Sequence, residues 1–298
     1  MQPSGLPLYV ALTADVDPDA NRPRRGRPDA VSAGAAGDGV SLKACAAGLE
    51  LVAETLREMR IPCTFFWEAR SLRTLSEISP DTVEALISNR DYEHACHGLK
   101  HEDFSGEATG VNIGEEQALA ILQQATDIIA DLTGSRPKGF RAPYCRFSPA
   151  LQRALTRLSY LYDASLTREA TDESWLLLPY RLPADGPALW ELALCQGRDG
   201  AGRPISGYLW QLSEGRREPR NYVDFAGRLA QRHGGGLFQI ALHPWHLVVD
   251  ERGGNLRERT GRDAAADMKA VLAGIMALQN VRFVSLSRYL NEVVGGRA

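Results

Sequence analysis

Residues 8 to 14, LYVALTA, form an unbroken apolar run that stops at Asp15-Val16-Asp17. A run this short and this apolar reads as a strand buried on both faces, which implies a parallel sheet covered by helices. The pattern recurs along the chain: residues 158 to 162 are apolar and end at Asp163, LFQIAL at 237 to 242 ends at His243, and Arg141 directly follows Gly139-Phe140. In a barrel of parallel strands such C-terminal strand ends converge on one mouth, where catalytic groups collect. Period two along an extended backbone also sends Asp15 and Asp17 to the same side while Val16 points away. One carboxylate could hold a metal while the other takes a proton, although two acids capping a strand would read the same way.

Helical patterns separate these strands. Leu42, Cys45, Leu49, Val52, Leu56 and Met59 recur at helical spacing over 41 to 60, and Ile61-Pro62 ends the helix before the strand CTFFWEA at 63 to 69. A helix-like segment covers roughly 81 to 89, a clear amphipathic helix runs from Gly114 to Leu132 with Gly134 as its stop, and a last helix and strand occupy about 263 to 286. Alternating strands and helices are the grammar of βα units. A chain of 298 residues, 44% hydrophobic, can bury one large core. The expectation is therefore a single α/β domain over 1 to 298, with a flexible loop at about 18 to 40 that is rich in Pro, Gly and Ala. Arg22, Arg24, Arg25 and Arg27 in that loop could meet a substrate phosphate, against the plainer reading of a solvated loop.

A formal net charge of -3 with a pI near 6.1 leaves no electrostatic case for nucleic acid or an anionic membrane surface. No apolar run reaches transmembrane length, and Pro3-Ser4-Gly5 leads almost directly into the first strand, so a cytoplasmic location is expected. Cysteines 45, 63, 96, 145 and 195 are odd in number and contain no C-x-x-C pair, which reads as reduced, mostly buried thiols. Oligomeric state is not legible.

The stretch His97-Gly98-Leu99-Lys100-His101-Glu102-Asp103-Phe104 holds two imidazoles four residues apart, which share a face and can reach one divalent metal if the backbone makes a helical turn. His94 and His233 read as surface or core residues, and His246 reads as structural or as a late arrival in the site. Trp245 could wall a sugar ring or simply pack in the barrel.

In motif order the chain resembles the polysaccharide deacetylase family, the NodB-homology group of carbohydrate esterases. The resemblance is carried by T-A-D-V-D (13 to 17), H-G-L-K-H-E-D-F (97 to 104), G-F-R-A-P-Y (139 to 144), Y-D-A-S-L (162 to 166) and I-A-L-H-P-W (240 to 245). It implies the NodB-homology fold, a distorted barrel of about seven βα units, and a metal, zinc first with cobalt, nickel or manganese as alternatives. On this resemblance Asp17, His97 and His101 are the ligands and Asp15 is the general base. Arg141 would orient Asp15, the backbone at Tyr144 would help hold the oxyanion, Asp163 would orient a histidine, and His243 would be the general acid. The D-x-D spacing at 15 to 17 matches a branch that includes bacterial peptidoglycan deacetylases, deformylases of lipid-linked aminoarabinose and allantoinase-like proteins. Gly98 stands where the family usually has Ser or Thr.

The implied activity is hydrolysis of an N-acetyl or N-formyl group from an amino sugar. Small, nucleotide-linked or lipid-linked sugars are expected in preference to an extracellular polymer, on the expected compartment and the arginine-bearing loop. A metal with open positions activates water and polarises a carbonyl, a carboxylate takes the water's proton, and an imidazole protonates the departing nitrogen. Arg141 near Asp15 would keep it ionised, and Asp163 near His243 would favour the imidazolium. Two alternatives stay open, an allantoinase-like cyclic amide hydrolase and a sugar-binding relative without catalysis; a non-haem iron oxygenase shares the two histidines and one carboxylate, but its usual antiparallel framework is excluded by the strand-helix alternation.

Overall fold

The computed structural model describes residues 5–33, 35, 39–170, 177–183, 188–249 and 261–295. In chain order it contains β1 (Leu8–Val16), β2 (Asn21–Arg22), β3 (Val31–Ser32), α1 (Lys43–Met59), β4 (Cys63–Trp67), α2 (Ala69–Ile78), α3 (Pro80–Ile87), β5 (Tyr92–Cys96), α4 (Glu115–Thr133) and β6 (Gly139–Phe140). There follow α5 (Pro149–Arg157), β7 (Tyr162–Asp163), β8 (Thr167–Glu169), β9 (Tyr180–Arg181), β10 (Trp190–Glu191), β11 (Leu194–Arg198) and β12 (Pro204–Ser206). The chain continues through α6 (Trp210–Ser213), α7 (Pro219–Arg232), β13 (Leu237–Leu242), α8 (Arg262–Met276), β14 (Val281–Phe283) and α9 (Leu286–Val293).

The main sheet runs β13-β1-β4-β5-β6-β7-β10, all parallel, with β9 added antiparallel at one end and β14 pairing the first half of β1. β1 is central because all nine of its residues are buried. Its period of two divides them: Leu8, Val10, Leu12, Ala14 and Val16 face the helices, whereas Tyr9 and Ala11 join an inner cluster. That inner cluster also takes Phe66, Ala95, Tyr162, Leu192 and Leu237 from other strands and Leu286, Tyr289 and Val293 from α9. One cluster fed by both edges of the sheet requires the sheet to curl, and α9 plugs its lower end. This is the expected distorted βα barrel.

The curl does not close by a direct ladder between β10 and β13 among the described residues. A small sheet, β12-β11-β8, stands between them. Gly207 N–H donates to the Cys195 carbonyl, Ala241 N–H to the Gly207 carbonyl, and Leu209 N–H to the Ala241 carbonyl, so the segment after β12 is stitched to β13. A Cβ on Gly207 would lie 1.8 Å from the Gln239 carbonyl oxygen, which explains why only glycine allows that approach.

The helices expected at 41 to 60 and 114 to 132 form as α1 and α4, and α4 ends on Gly134 at φ 73°. Two helices, α2 and α3, broken at Ser79-Pro80, fill the space where the sequence suggested one. Within the 18 to 40 segment the described residues form a short antiparallel ladder, Asn21 opposite Ser32 and Arg22 opposite Val31. Ala30 N–H donates to the Lys100 carbonyl and Asp103 N–H to the Pro28 carbonyl, which docks this segment on the histidine motif.

Candidate active site

The C-terminal ends of β1, β5, β6 and β13 meet at one mouth, as parallel strands require. Three ligand atoms, one each from Asp17, His97 and His101, lie within 4.8 Å of one another. Asp17 Oδ2 is 3.0 Å from His101 Nε2 and 3.8 Å from His97 Nε2, and all three residues are buried. None of these three atoms makes a hydrogen bond. Buried polar atoms left without hydrogen-bond partners are costly, and a cation at their point of convergence would satisfy all three.

The other face of His97 and of Asp17 is held. His97 Nδ1 donates to the Arg141 carbonyl at 2.8 Å, which leaves Nε2 with its lone pair toward the cluster. Burial lowers the His97 pKa to about 4, against the pull of Asp15, so the ring is neutral as a ligand must be. Trp245 Nε1 donates to Asp17 Oδ1 at 2.8 Å, leaving Oδ2 open. The loop between the histidines is not a helical turn: Gly98 sits at φ 85° and His101 at φ 58°, and this irregular path brings the rings together.

Asp15 lies on the inner face of β1 and is 1% exposed. Arg141, fully buried, donates through Nη1 to Asp15 Oδ1 at 2.7 Å and to Thr13 Oγ1 at 3.0 Å, through Nη2 to Gln239 Oε1 at 2.7 Å, and through Nε to the Ala164 carbonyl at 3.0 Å. Its guanidinium also stacks 4.2 Å over the Phe66 ring. The second Asp15 oxygen accepts from the Tyr208 hydroxyl. Burial, the largest single effect, would raise the Asp15 pKa, but the charges of Arg141, His97 and His243 and the Tyr208 bond together outweigh it, and the net result is about 2. The carboxylate is ionised at neutral pH, as anticipated for Arg141 beside it.

His243 places Nε2 3.5 Å from Asp17 Oδ2 and keeps a partly exposed edge. Its ring lies between Tyr208, stacked at 5.5 Å, and Trp245, tilted at 5.3 Å. Asp163 is not brought to it. Asp163 Oδ1 accepts from Ser165 Oγ at 2.7 Å and Oδ2 from Ser165 N–H at 3.0 Å, and the side chain stands beside Glu191. Ser165 Oγ in turn accepts from Ala142 N–H, so Asp163 braces the turn before Tyr144 instead of orienting His243. Burial and the negative charge of Asp163 push the Glu191 pKa well up, so Glu191 is the protonated member of that pair. Tyr144 itself is held at φ 58° with its ring edge-on to His101 at 4.6 Å.

Asp15, His97, His101, Tyr144, Tyr208, His243 and Trp245 line a cavity of about 520 Å³ whose walls also include Asn21, Arg22, Trp210 and Cys145. A larger hollow of about 680 Å³ beside Asp19, Leu42 and Ile78 shares none of these residues. Sequence reasoning missed Tyr208, Gln239 and Trp210. Gln239 carried a signal, since a glutamine two positions before Ala241 and four before His243 in an apolar strand must face the same side as His243. Tyr208 carried none, because the stitch between the 207 to 209 segment and β13 is a tertiary contact. His246 is buried near Glu214 at 3.6 Å, and His94 accepts from Trp67 Nε1 at 3.0 Å, so neither lines the cavity.

The polysaccharide deacetylase family model matches residues 42–162. A peptidoglycan deacetylase of Helicobacter pylori is 27% identical over 144 residues, 46% of this chain and 45% of that protein, so the match spans less than half of the curated relative's length. Among solved structures, a candidate polysaccharide deacetylase from Mycobacterium smegmatis superposes with a TM-score of 0.66 at 20% identity, over 100% of this chain and 95% of the other. The Puue allantoinase gives 0.65 at 16% identity, over 97% and 92%. At these identities the structures attest the shared fold, and over residues 42–162 the chain is similar to the polysaccharide deacetylase family.

Proposed function

We propose that the chain is a metal-dependent amide hydrolase that removes an acetyl or formyl group from the nitrogen of an amino sugar. The observation that carries this reading is the convergence of three unpartnered buried ligand atoms from Asp17, His97 and His101 beside an ionised Asp15 and a partly exposed His243. Asp17 through Oδ2 and the two histidines would hold the metal, zinc first and cobalt, nickel or manganese next, and the bound ion supplies an acidified water and a polarised carbonyl.

The remaining work belongs to the chain's own side chains. Asp15, fixed by Arg141 and Tyr208, takes the proton of the attacking water. With a pKa near 2 it is a weak acceptor, so it suits a water that has already been made acidic. His243, exposed on one edge, gives a proton to the departing nitrogen as the C–N bond breaks, and the acyl carbon keeps the water's oxygen. The backbone at Tyr144, set by the Asp163–Ser165–Ala142 contacts, faces the developing oxyanion. Trp210, Tyr208 and Trp245 form the apolar walls for a ring.

A cavity of about 520 Å³ falls in the range of small-molecule sites, and Arg22 and Asn21 at its wall could meet the phosphate of a nucleotide or lipid carrier. This supports a small or carrier-linked sugar. We assign the chain to the cytoplasm, a reading supported by its five unpaired thiols, four of them buried. Among the described residues no helix is long and apolar enough to cross a membrane.

A screen of the purified protein for acetate or formate release decides the matter, run on amino-sugar nucleotides, lipid-linked sugars, peptidoglycan fragments and cyclic ureides, with and without added zinc or cobalt. Metal-dependent release from a soluble sugar is expected. Faster cleavage of insoluble polymer, or ring-opening alone, would replace this substrate class, and no turnover with metal bound would leave a sugar-binding relative.

A further inference from the structure

The residue after the second histidine, Glu102, is only 3% exposed, and its carboxylate turns back into the loop that separates the two histidines. Oε2 accepts the Leu99 N–H at 3.0 Å and Oε1 accepts the Lys100 N–H at 2.9 Å, so both oxygens are committed to backbone inside that loop. Gly98 makes room for it. A Cβ at Gly98 would stand 2.8 Å from Glu102 Oε2, and Gly98 holds φ 85°, where side chains are disfavoured in any case. His101 also sits in the left-handed region at φ 58°. A non-glycine residue stays there only when its surroundings over-determine it. The loop's outer side is fixed as well: Ala69 N–H donates to the Gly98 carbonyl and Arg70 N–H to the Leu99 carbonyl, so the first turn of α2 grips the loop while Glu102 closes it from within.

We infer that Glu102 is the positioning residue of the metal site, setting the path of residues 98 to 101 so that His97 Nε2 and His101 reach one ion together with Asp17. The inference rests on the metal reading above. It assigns no proton transfer to Glu102. The carboxylate acts through backbone N–H groups, and the missing side chain at Gly98 is the other half of the same device.

Cobalt(II) titration followed by visible absorption, with chelator competition for affinity, tests this without any substrate. Glu102→Ala should weaken cobalt binding about 10- to 100-fold, the range typical of supporting contacts behind metal ligands. Glu102→Gln, which keeps one acceptor but turns an N–H₂ toward a backbone N–H, should fall between. Gly98→Ala should also weaken binding, and the loss it adds in the Glu102→Ala background should be smaller than in the unaltered chain, because the clash partner is gone. Circular dichroism at the titration temperature confirms that each variant is folded, and Glu102→Gln carries the test if Glu102→Ala is not. A purely structural glutamate would lower the melting temperature and leave the affinity of the folded protein unchanged; wild-type cobalt affinity in the folded variants overturns the inference. No cobalt uptake by the unaltered chain would overturn the metal reading along with it, so the two failures are told apart by the wild-type arm.

Discussion

Trp245 acts on the site through its indole N–H as well as its ring. By donating to Asp17 Oδ1 it decides which carboxylate oxygen faces the histidines. Trp245→Phe keeps most of the apolar packing and removes this bond, so metal affinity should drop about tenfold or more while His243 keeps an aromatic neighbour. Chelator competition measures it, and an unchanged affinity would reduce Trp245 to a packing residue. Asp15→Asn is the complementary variant. It should bind metal as before and lose at least about 100-fold in turnover, because an amide cannot accept the water's proton. Full activity there would strike Asp15 from the mechanism. At this scale the residues the sequence grouped, Asp15, Asp17, His97, His101, Arg141 and His243, do lie together in space. It misplaced Asp163, because the partner that turns that side chain away, Glu191, becomes its neighbour only through the register of β7 and β10.

Elements position these residues through their ends, and α2 shows how. Its N-cap is Glu68, the residue just past β4, fully buried, whose carboxylate accepts Ser71 N–H. Burial drives the Glu68 pKa up, opposed by Arg70 and the Ser71 bonds, to about 8. A folded-state pKa above the unfolded value of about 4.3 means that the folded protein binds more protons between those limits. Stability from this group is therefore present below about pH 4.3 and is lost as pH rises through about 8, by roughly 4 to 5 kcal/mol at the upper bound. Glu68→Gln should abolish that fall. Urea unfolding of both proteins from pH 5 to 9 tests it, and a difference between the two that stays constant with pH would disprove the assignment. Helices with an uninterrupted period, α1 and α4, were legible from spacing alone. The loop that carries the histidines was not, because its path depends on φ > 0 at Gly98 and His101, and a four-residue spacing cannot distinguish that path from a helical turn.

At the scale of the whole molecule the barrel depends on close approaches that sequence periodicity does not encode. A Cβ on Gly48 would lie 1.9 Å from the Pro244 carbonyl oxygen, so α1 packs directly on the turn that follows His243. The alternation of apolar runs and helices announced the barrel and the end at which its site would sit. Its closure through the β12-β11-β8 sheet was not announced, since those strands are short and their partners distant in sequence. The candidate site bridges β1 and the loop after β5, while His243 and Trp245 arrive from the far side of β1, in the segment just after β13. A metal there would tie separate parts of the barrel together, and ligand binding to the folded state alone raises stability by about 2.7 kcal/mol at 100 times the dissociation constant. Saturating zinc should accordingly raise the melting temperature by roughly 5 °C or more over the protein in chelator. His97→Ala removes one of the three proposed ligands and should erase that increment while the variant still melts cooperatively in chelator. Calorimetric scans of both proteins in zinc and in chelator give the comparison. An equal zinc-induced rise in His97→Ala would place the bound ion somewhere other than Asp17, His97 and His101.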